Sequence, residues 1–182
     1  AWRALSQRDR QLAASLKSKN ALIDRGLAWL KQPNNHIIAW HHEQYPQALR
    51  QIDSPPSFLF ISGSLELLWH TQIAIVGSRQ PSASGLEIAY HFAQNLAQKG
   101  FTITSGLARG IDTSAHFGAL SHGKTIAALA TGPDIAFPSK NQDLYEQIAE
   151  LGTLITEHAP GIPALRSHFP ARNRIIAGLS QG

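Results

Sequence analysis

The sequence contains no cysteine and no methionine. Without cysteine the chain forms no disulfide bond and offers no thiolate to a metal ion, which fits a reducing compartment such as the cytoplasm. Because an initiator methionine is also missing, we expect the chain to be a fragment of a longer protein. No apolar run approaches the ~18 residues of a membrane-spanning helix, and the N-terminus has no signal-peptide core.

Charged residues are few, at 15% of the chain, whereas hydrophobic residues make up 43%, which is a globular composition. The charges are unevenly placed. Residues 1–35 hold seven of the 16 Lys and Arg but only two of the 12 Asp and Glu, so the remainder is nearly neutral. A basic segment of this kind is either a solvated helix surface or a contact surface for nucleic acid.

The segment at the N-terminus is predicted to be helical. Apolar residues recur at helical spacing over residues 3–31, and Q-P-N-N at 32–35 interrupts the pattern. We therefore predict a small helical segment at 1–35 and a separate domain at 36–182. Two short strands, H-I-I-A-W and S-F-L-F-I-S, are predicted near the start of that domain.

From residue 73 onward, short apolar strands alternate with amphipathic helices. The predicted strands are I-A-I-V-G, F-T-I-T-S-G, T-I-A-A-L-A-T and T-L-I-T-E-H. The helices between them are predicted to begin at a capping box formed by Ser84 and Glu87, at Asp112 and at Asn141, and glycines end two of them. Such alternation predicts an α/β fold built on a doubly wound parallel sheet.

One stretch, G-A-L-S-H-G-K-T at 118–125, fits the P-loop pattern that binds nucleotide phosphates. A functional P-loop leaves a strand and enters a helix, so that the helix N-terminus faces the phosphate. Here the predicted order is reversed, because the stretch leaves a helix and enters a strand. Lys124 is therefore expected at the end of the sheet opposite the ligand, and we interpret the match as accidental.

Most cations of the domain fall in the loops that follow the predicted strands. Six of the nine Lys and Arg after residue 35 lie there: Arg79, Arg109, Lys140, Arg166, Arg172 and Arg174. Ligands of open α/β sheets bind outside the carboxyl ends of the strands. The loops V-G-S-R at 76–79 and S-G-L-A-R-G at 105–110 also offer backbone N–H groups to an anion, unless their glycines serve only tight turns. The sequence therefore predicts a phosphate-binding rim.

The predicted rim lacks the features of common nucleotide enzymes. No G-x-G-x-x-G fingerprint follows the first strand, and T-S-G stands where a ribose-binding carboxylate would end the second. Asp112 and Glu157 are the acids closest to the rim, and we interpret Asp112 as a helix cap. His41 and His42 lack a partner at zinc-site spacing, and no Ser-His-Asp context is recognisable. We predict phosphate binding without catalytic residues or a metal.

Three long motifs resemble the DNA-processing protein A family, also called Smf. They are I-V-G-S-R at 75–79, S-G-L-A-R-G-I-D at 105–112 followed by Ala115-His116, and F-P-A-R-N-R-I-I-A-G-L-S at 169–180. Tyr45-Pro46, the Pro-Pro pair at 55–56 and F-P-S-K-N at 137–141 match further landmarks. The resemblance runs from about residue 40 to the end. It departs at A-T-G-P-D, 130–134, where the family often has G-x-G-[LVP]-D.

The resemblance implies a bacterial cytoplasmic protein that binds incoming single-stranded DNA during natural transformation, protects it and helps load the RecA recombinase. It implies an extended Rossmann-like fold with no cofactor and no known catalysis, preceded by a SAM-like helical domain of which residues 1–35 would be a remnant. A further strand follows in the family, so we expect domain 36–182 to be truncated at its C-terminal end. A homodimer is expected for the full-length protein and is doubtful for this fragment.

Carried over through the motifs, the resemblance implies phosphate contacts along the rim, to which the loop position adds Arg109. The implied DNA-binding residues are Gly77, Ser78, Arg79, Ser105, Gly106, Arg109, Lys140, Phe169, Arg172, Asn173 and Arg174. Phe169 and Phe137 are both candidates for stacking on bases. We expect Phe137 to belong to the hydrophobic core instead.

Two other classes of protein share part of this pattern. A LOG-like, lysine-decarboxylase-like phosphoribohydrolase has the same sheet and a phosphate rim, but it would carry a G-G-G-x-x-G-L-M-G-like loop where this chain has S-G-L-A-R-G-I-D. A module that binds only other proteins would leave the cations of the rim without a role. The sequence therefore favours a DNA-binding protein over both.

Overall fold

The computed structural model describes residues 21–122 and 124–182. Most of the predicted helical segment, residues 1–20, lies outside the described residues, and residues 21–30 form the helix α1. The strands are β1 Asn35–Ala39, β2 Phe58–Gly63, β3 Gln72–Ala74, β4 Thr102–Ser105, β5 Thr125–Ala128 and β6 Thr153–Thr156. The later helices are α2 Gln47–Arg50, α3 Ala83–Gln98, α4 Ile111–Leu120, α5 Gln142–Leu151 and α6 His168–Leu179.

The strands form one six-stranded sheet in the order β1-β2-β6-β5-β4-β3. The four strands β3 to β6 pair in parallel, as the alternation of strands and helices predicted. The two short strands at the start of the domain join the same sheet, because β2 pairs with β6 and β1 with β2, both antiparallel. The sheet is therefore mixed, with a parallel half that resembles a Rossmann fold.

Helices cover both faces of the sheet, which is why every residue of β4, β5 and β6 is buried. On one face α3, α4 and α5 bury residues such as Ala93, Ala119 and Ile148. On the other face, α2 and α6 bury residues that include Leu49 and Ile175. This two-sided arrangement confirms the α/β fold predicted from the sequence.

Several predicted helix starts differ in the structure. The helix α3 begins at Ala83, and the Ser82 hydroxyl accepts a hydrogen bond from the Gly85 N–H, so the capping box of Ser84 and Glu87 is wrong. The helix α4 is preceded by Gly110 at φ +84°, a conformation that favours glycine, and Asp112 lies inside its first turn. The interpretation of Asp112 as the cap is therefore also wrong. An acid in the first turn of a helix can instead accept hydrogen bonds from the preceding loop, as Asp112 does from the Gly106 and Ala108 N–H groups.

The ends of β3 and of the helices α3 and α5 lie close to the residues at which the sequence predicted them. The first parallel strand was predicted at 73–77 and spans Gln72–Ala74, because Val76 and the following residues turn away toward α4. There the Ser78 carbonyl accepts a hydrogen bond from the Ile111 N–H. Gly100 follows α3 at φ +99°, and Gly152 follows α5, so both predicted glycine stops are confirmed.

The P-loop match at 118–125 begins in the last turn of α4, which ends at Leu120, and ends at Thr125, the first residue of β5. Its order is thus helix to strand, as the sequence predicted. Lys124 precedes the first residue of β5 and sits at the amino end of the parallel strands. The cation is therefore at the edge of the sheet opposite the loops that follow β3, β4 and β5.

The helix α1 contacts the sheet and one loop beyond it. The Trp29 ring packs edge to face on Phe60 of β2, with ring centroids 5.9 Å apart. The Arg25 guanidinium lies 2.9 Å from the Asp134 carboxylate, in the loop that follows β5. Asp134 in turn accepts a hydrogen bond from the Gly161 N–H. These contacts hold α1 against the α/β domain.

Candidate functional site

A cavity of about 320 Å³ opens at the carboxyl ends of the parallel strands. The loops after β3, β4 and β5 and the first turns of α6 form its walls. Its lining residues are Arg79, Gly106, Ala108, Arg109, Ala130, Phe137, Pro138, Ser139, Lys140, Phe169 and Arg172. This is the edge of the sheet at which the sequence predicted a ligand site.

Four cations line this cavity, and three of them are exposed. Arg79 follows β3, Arg109 follows β4 and Lys140 lies in the turn before α5, so each comes from a different loop. The fourth, Arg172 of α6, is buried. Cations converging from separate loops create a positive potential that attracts anions such as phosphate groups.

Two phenylalanines form an aromatic wall of the cavity. The rings of Phe137 and Phe169 are 5.6 Å apart and inclined at 56°, and the Arg79 guanidinium lies 5.5 Å from the Phe169 ring centre. Phe137 is 45% exposed, so the expectation that it belongs to the core is wrong. Its ring packs against Phe169 and lines the cavity instead. Phe169 was predicted as an aromatic of the site, and the structure places it there.

Arg172 is 5% exposed and serves the protein's own backbone. Its guanidinium donates hydrogen bonds to the carbonyls of Gly106 and Ala128, and to the side-chain oxygen of Asn173. Burial lowers the pKa of Arg172, and the Asp112 carboxylate opposes that shift. A side chain at Gly106 would collide with the guanidinium, so glycine is required there for close packing. Arg172 thus acts first as an internal brace.

The loop S-G-L-A-R-G after β4 does not offer a free set of backbone donors. The Gly106 and Ala108 N–H groups both donate to the Asp112 carboxylate, at 3.1 and 3.3 Å. The Ser105 hydroxyl donates to the Ile75 carbonyl, and the residue is fully buried. We expected the N–H groups of the loop at 105–110 to bind an anion, and for Gly106 and Ala108 the structure contradicts this, since an internal carboxylate already accepts from both.

His116 of α4 completes the hydrogen bonding of this loop. Its Nε2 accepts from the Leu107 N–H at 3.3 Å, and its Nδ1 lies 2.7 Å from the Thr125 hydroxyl. Complete burial, together with the nearby charge of Arg172, lowers the pKa of His116 to about 3. The imidazole is therefore neutral near pH 7. The sequence motif contained this residue, but its partner Leu107 was not predicted.

A second cavity of about 310 Å³ adjoins the first on the side of α6. Gly77 and Asn173 line it together with Arg79 and Arg172, which face both cavities. Ser78 lies nearby, and its hydroxyl accepts a hydrogen bond from the Gln80 N–H. Of the predicted residues in the V-G-S-R loop, Arg79 therefore lines both cavities, Gly77 lines the second, and Ser78 lines neither.

Two of the predicted rim cations lie outside both cavities. Arg174 forms a two-pronged ion pair with Glu157, at 2.6 and 2.7 Å, and donates to the Ser54 carbonyl. Arg166 is exposed and lines neither cavity. The structure thus brings together four of the six predicted rim cations and commits Arg174 to an internal contact.

A pair of stacked imidazoles lies behind the site and was not anticipated from the sequence. The rings of His158 and His168 are 3.9 Å apart and inclined at 24°, and His168 contacts the Ala130 carbonyl. Burial is the main cause of a lowered pKa of His158, and the charge of the neighbouring His168 lowers that pKa further. The two residues are ten positions apart and an irregular segment joins His158 to His168 at the start of α6, so no periodic pattern indicated their contact.

Within residues 21–122 and 124–182, no helix is both long and apolar enough to cross a bilayer. In the same part of the chain, no group of three or more His, Asp or Glu side chains is placed to hold a metal ion.

The fold and the site define the class of protein. The described residues form a Rossmann-like α/β domain with a cationic and aromatic cavity at the carboxyl ends of its parallel strands, the edge at which such folds bind their ligands. The profile of the family described as "DNA recombination-mediator protein A" matches residues 36–182. The chain therefore belongs to the DNA recombination-mediator protein A family.

Curated relatives support this assignment over most of the chain. The chain is 42% identical to Protein Smf of Escherichia coli strain K12 over 175 residues, covering 95% of this chain and 47% of that protein. It is 45% identical to DNA processing protein DprA of Streptococcus pneumoniae over 139 residues, covering 76% of this chain and 49% of the relative. The chain thus spans about half the length of these relatives.

Solved structures agree with the fold. The X-ray structure of DNA processing protein A from Streptococcus pneumoniae superposes with a TM-score of 0.76 at 40% identity, covering 81% of this chain and 52% of that one. A structure of the Helicobacter pylori protein superposes with a TM-score of 0.73 at 29% identity, over 80% and 66% of the two chains. Its description concerns the single-stranded DNA binding mode of that protein.

Proposed function

We propose that this chain binds single-stranded DNA at the cavity lined by Arg79, Arg109, Lys140 and the two phenylalanines. The observation that carries the proposal is the convergence in one cavity of three exposed cations and two phenylalanine rings, of which Phe137 is exposed and Phe169 half-buried. Cations bind the phosphate backbone, and aromatic rings stack on bases of any sequence. The description of the Helicobacter pylori relative supports the same ligand class.

The same geometry favours single strands over duplex. In a duplex the faces of the bases are stacked on one another, so the rings of Phe137 and Phe169 have no free base face to contact. A single strand exposes those faces, and each base–aromatic stack contributes about 1–3 kcal/mol. We therefore propose that the phenylalanines supply the preference for single strands and the cations most of the general affinity.

We further propose binding without catalysis. The two acids nearest the rim are both committed, because Asp112 accepts from the loop N–H groups and Glu157 pairs with Arg174. Both carboxylates are thus already engaged in contacts within the protein. The loop after β4 also differs from that of the LOG-like enzymes, so the hydrolase alternative is not favoured.

The biological role is proposed from the family to which the chain belongs. We propose that the whole protein acts in the cytoplasm during natural transformation, where it protects incoming single-stranded DNA and helps load RecA. A homodimer is proposed for the whole protein only. The family description, a recombination mediator, supports a role that brings DNA and a recombinase together.

The test compares three ligands under the same conditions. Fluorescence anisotropy would measure binding to labelled single-stranded oligonucleotides of about 20 nucleotides, to the matching duplex and to a labelled ATP. We expect the single strand to bind more tightly than the duplex, with little difference between unrelated sequences. Tighter binding of ATP than of the single strand would contradict the proposal and favour a nucleotide-processing enzyme.

A further inference from the structure

The three residues 106–108 have all of their backbone polar groups bonded to side chains. The N–H groups donate to Asp112, His116 and again Asp112, and the carbonyls accept from Arg172, Asn141 and Thr113. Leu107, at the centre, is fully buried with φ +57°, a conformation that side-chain-bearing residues seldom adopt. A loop with every donor and acceptor satisfied in this way is held in one conformation.

Asn141 is the hydrogen-bond donor that joins this loop, which follows β4, to the loop that follows β5. Asp112, Thr113 and His116 belong to α4, which directly follows the loop, whereas Asn141 lies in the turn before α5. The residue is 8% exposed, and its amide nitrogen donates to the Leu107 carbonyl at 3.0 Å and to the Thr113 hydroxyl at 2.9 Å.

Its position in the chain makes this pairing informative. Asn141 precedes the first residue of α5, where an asparagine side chain commonly caps the helix, but it makes no capping hydrogen bond here. The amide is turned toward the neighbouring loop instead. A carbonyl oxygen can only accept, so the nitrogen of the amide must face Leu107. The side chain of Asn141 therefore connects two loops and does not cap the N-terminus of α5.

The two loops that Asn141 joins each carry an exposed cation of the cavity. Lys140 is its neighbour in sequence, and Arg109 follows the braced residues 106–108 directly. Like charges that line one cavity repel each other, most strongly before a phosphate neutralises them. A hydrogen bond between their loops opposes that repulsion and keeps the two cations at a fixed separation.

We propose that Asn141 is a positioning residue of the DNA-binding cavity, which holds the turn that carries Lys140 against the loop that carries Arg109. The inference rests on the proposed function, since the ligand of the cavity is the single-stranded DNA proposed above. Asn141 touches no ligand itself and acts through Lys140. When the amide of Asn141 is removed, Lys140 can move away from the phosphate that Lys140 would otherwise contact.

The experiment is a double-mutant cycle between Asn141→Ala and Lys140→Ala, read by anisotropy with a labelled single strand. Asn141→Ala is expected to weaken binding by about three- to tenfold, the range that corresponds to one lost positioning hydrogen bond. In the Lys140→Ala background the same change should weaken binding by less than about twofold, because the group it positions is gone. Gln142→Ala, an exposed neighbour that bonds only Glu146, is the matched control and should bind like the parent.

The cycle separates positioning from general destabilisation, because a merely structural role would weaken binding by the same factor in both backgrounds. That additive outcome, or unchanged binding in Asn141→Ala, would overturn the inference. If thermal melting shows that Asn141→Ala is unfolded, Thr113→Val replaces it in the cycle under the same criteria, since it removes one acceptor of the amide. If Lys140→Ala and Arg79→Ala both bind like the parent, the proposed function fails as well.

Discussion

At the scale of single residues, the six rim cations divide by burial into different roles. Arg79, Arg109 and Lys140 are exposed and free to meet a phosphate, whereas Arg172 is buried and binds backbone carbonyls. The sequence placed all of them in equivalent loops after parallel strands. Only the packing of α6 against the loop after β4 shows that the Arg172 guanidinium occupies the space above Gly106.

Among the three exposed cations of the cavity, Arg79 is the one whose substitution we use as a test. The guanidinium of Arg79 lies over the Phe169 ring, and in the proposed complex it would contact phosphate and not base edges. We therefore expect Arg79→Ala to weaken single-strand binding about equally for all sequences. Arg79→Lys should recover only part of the loss, since Lys keeps the charge but not the planar, two-pronged geometry. The melting temperature should barely change, as an exposed loop side chain usually contributes less than about 0.5 kcal/mol. Unchanged affinity in a folded Arg79→Ala protein would move the site away from this cavity.

His116 makes the stability of the domain depend on pH. Its folded pKa is about 3 and its ordinary value is 6.5, so between these values the unfolded chain binds a proton that the folded protein excludes. The stabilising contribution is complete above pH 6.5 and is lost as the pH falls toward 3. Across that window the slope should be about 1.4 kcal/mol per pH unit.

The measurement is urea unfolding between pH 7 and 5. His116→Gln should lower the free energy of unfolding at pH 7, because it disturbs the bond to Leu107, but it should flatten the dependence on pH. The exposed His122→Gln is the control and should keep the parent's slope. Equal slopes in the parent and His116→Gln would mean that the buried imidazole does not govern this pH range.

At the scale of elements, the direction in which a loop joins helix and strand decides what the loop can bind. The loops after β3, β4 and β5 leave strands and enter helices, so their side chains gather at one edge of the sheet. The stretch that matches the P-loop leaves α4 and enters β5, and it lies at the other edge. The same P-loop sequence pattern can thus occur in a strand-to-helix loop or in a helix-to-strand loop, and only the first places it at the ligand-binding edge of the sheet.

Lys124 tests this distinction. We expect Lys124→Ala to bind single-stranded DNA like the parent, although the change removes the residue on which a P-loop depends. Lys140→Ala has the same change of charge at the opposite edge of the sheet and should weaken binding. Anisotropy with one labelled oligonucleotide compares the two directly. If Lys124→Ala lost binding while Lys140→Ala kept it, the ligand would lie at the amino edge.

At the scale of the whole molecule, the domain has a localised charge instead of a large net charge. The formal net charge of the chain is +4 at pH 7, and three exposed cations meet in one cavity. Binding that depends on such a cluster releases counterions from the DNA and is therefore sensitive to salt.

The salt dependence gives the number of phosphates that the molecule neutralises. With three exposed cations at the site and a contribution of ~0.7 per phosphate on single strands, the log–log slope of affinity against salt should be about −2. Arg79→Ala should reduce that slope by a little under one unit. A slope near zero in the parent would show that phosphate contacts do not drive binding. A much steeper slope would show that cations outside the cavity take part.

Local sequence patterns were enough to predict the α/β class, the parallel pairing of four strands, the helix-to-strand order of the P-loop match and the edge of the sheet at which the cations gather. These follow from the local order of apolar strands, helices and glycines, which each segment carries in its own residues. The tertiary structure alone decided that β1 and β2 join the sheet, that Phe137 is exposed, and that Asp112 and Asn141 hold a loop instead of capping helices. Those features depend on which distant groups come within hydrogen-bonding reach, as when the Asn141 amide meets Leu107 across 34 positions of sequence, and no local pattern encodes that distance.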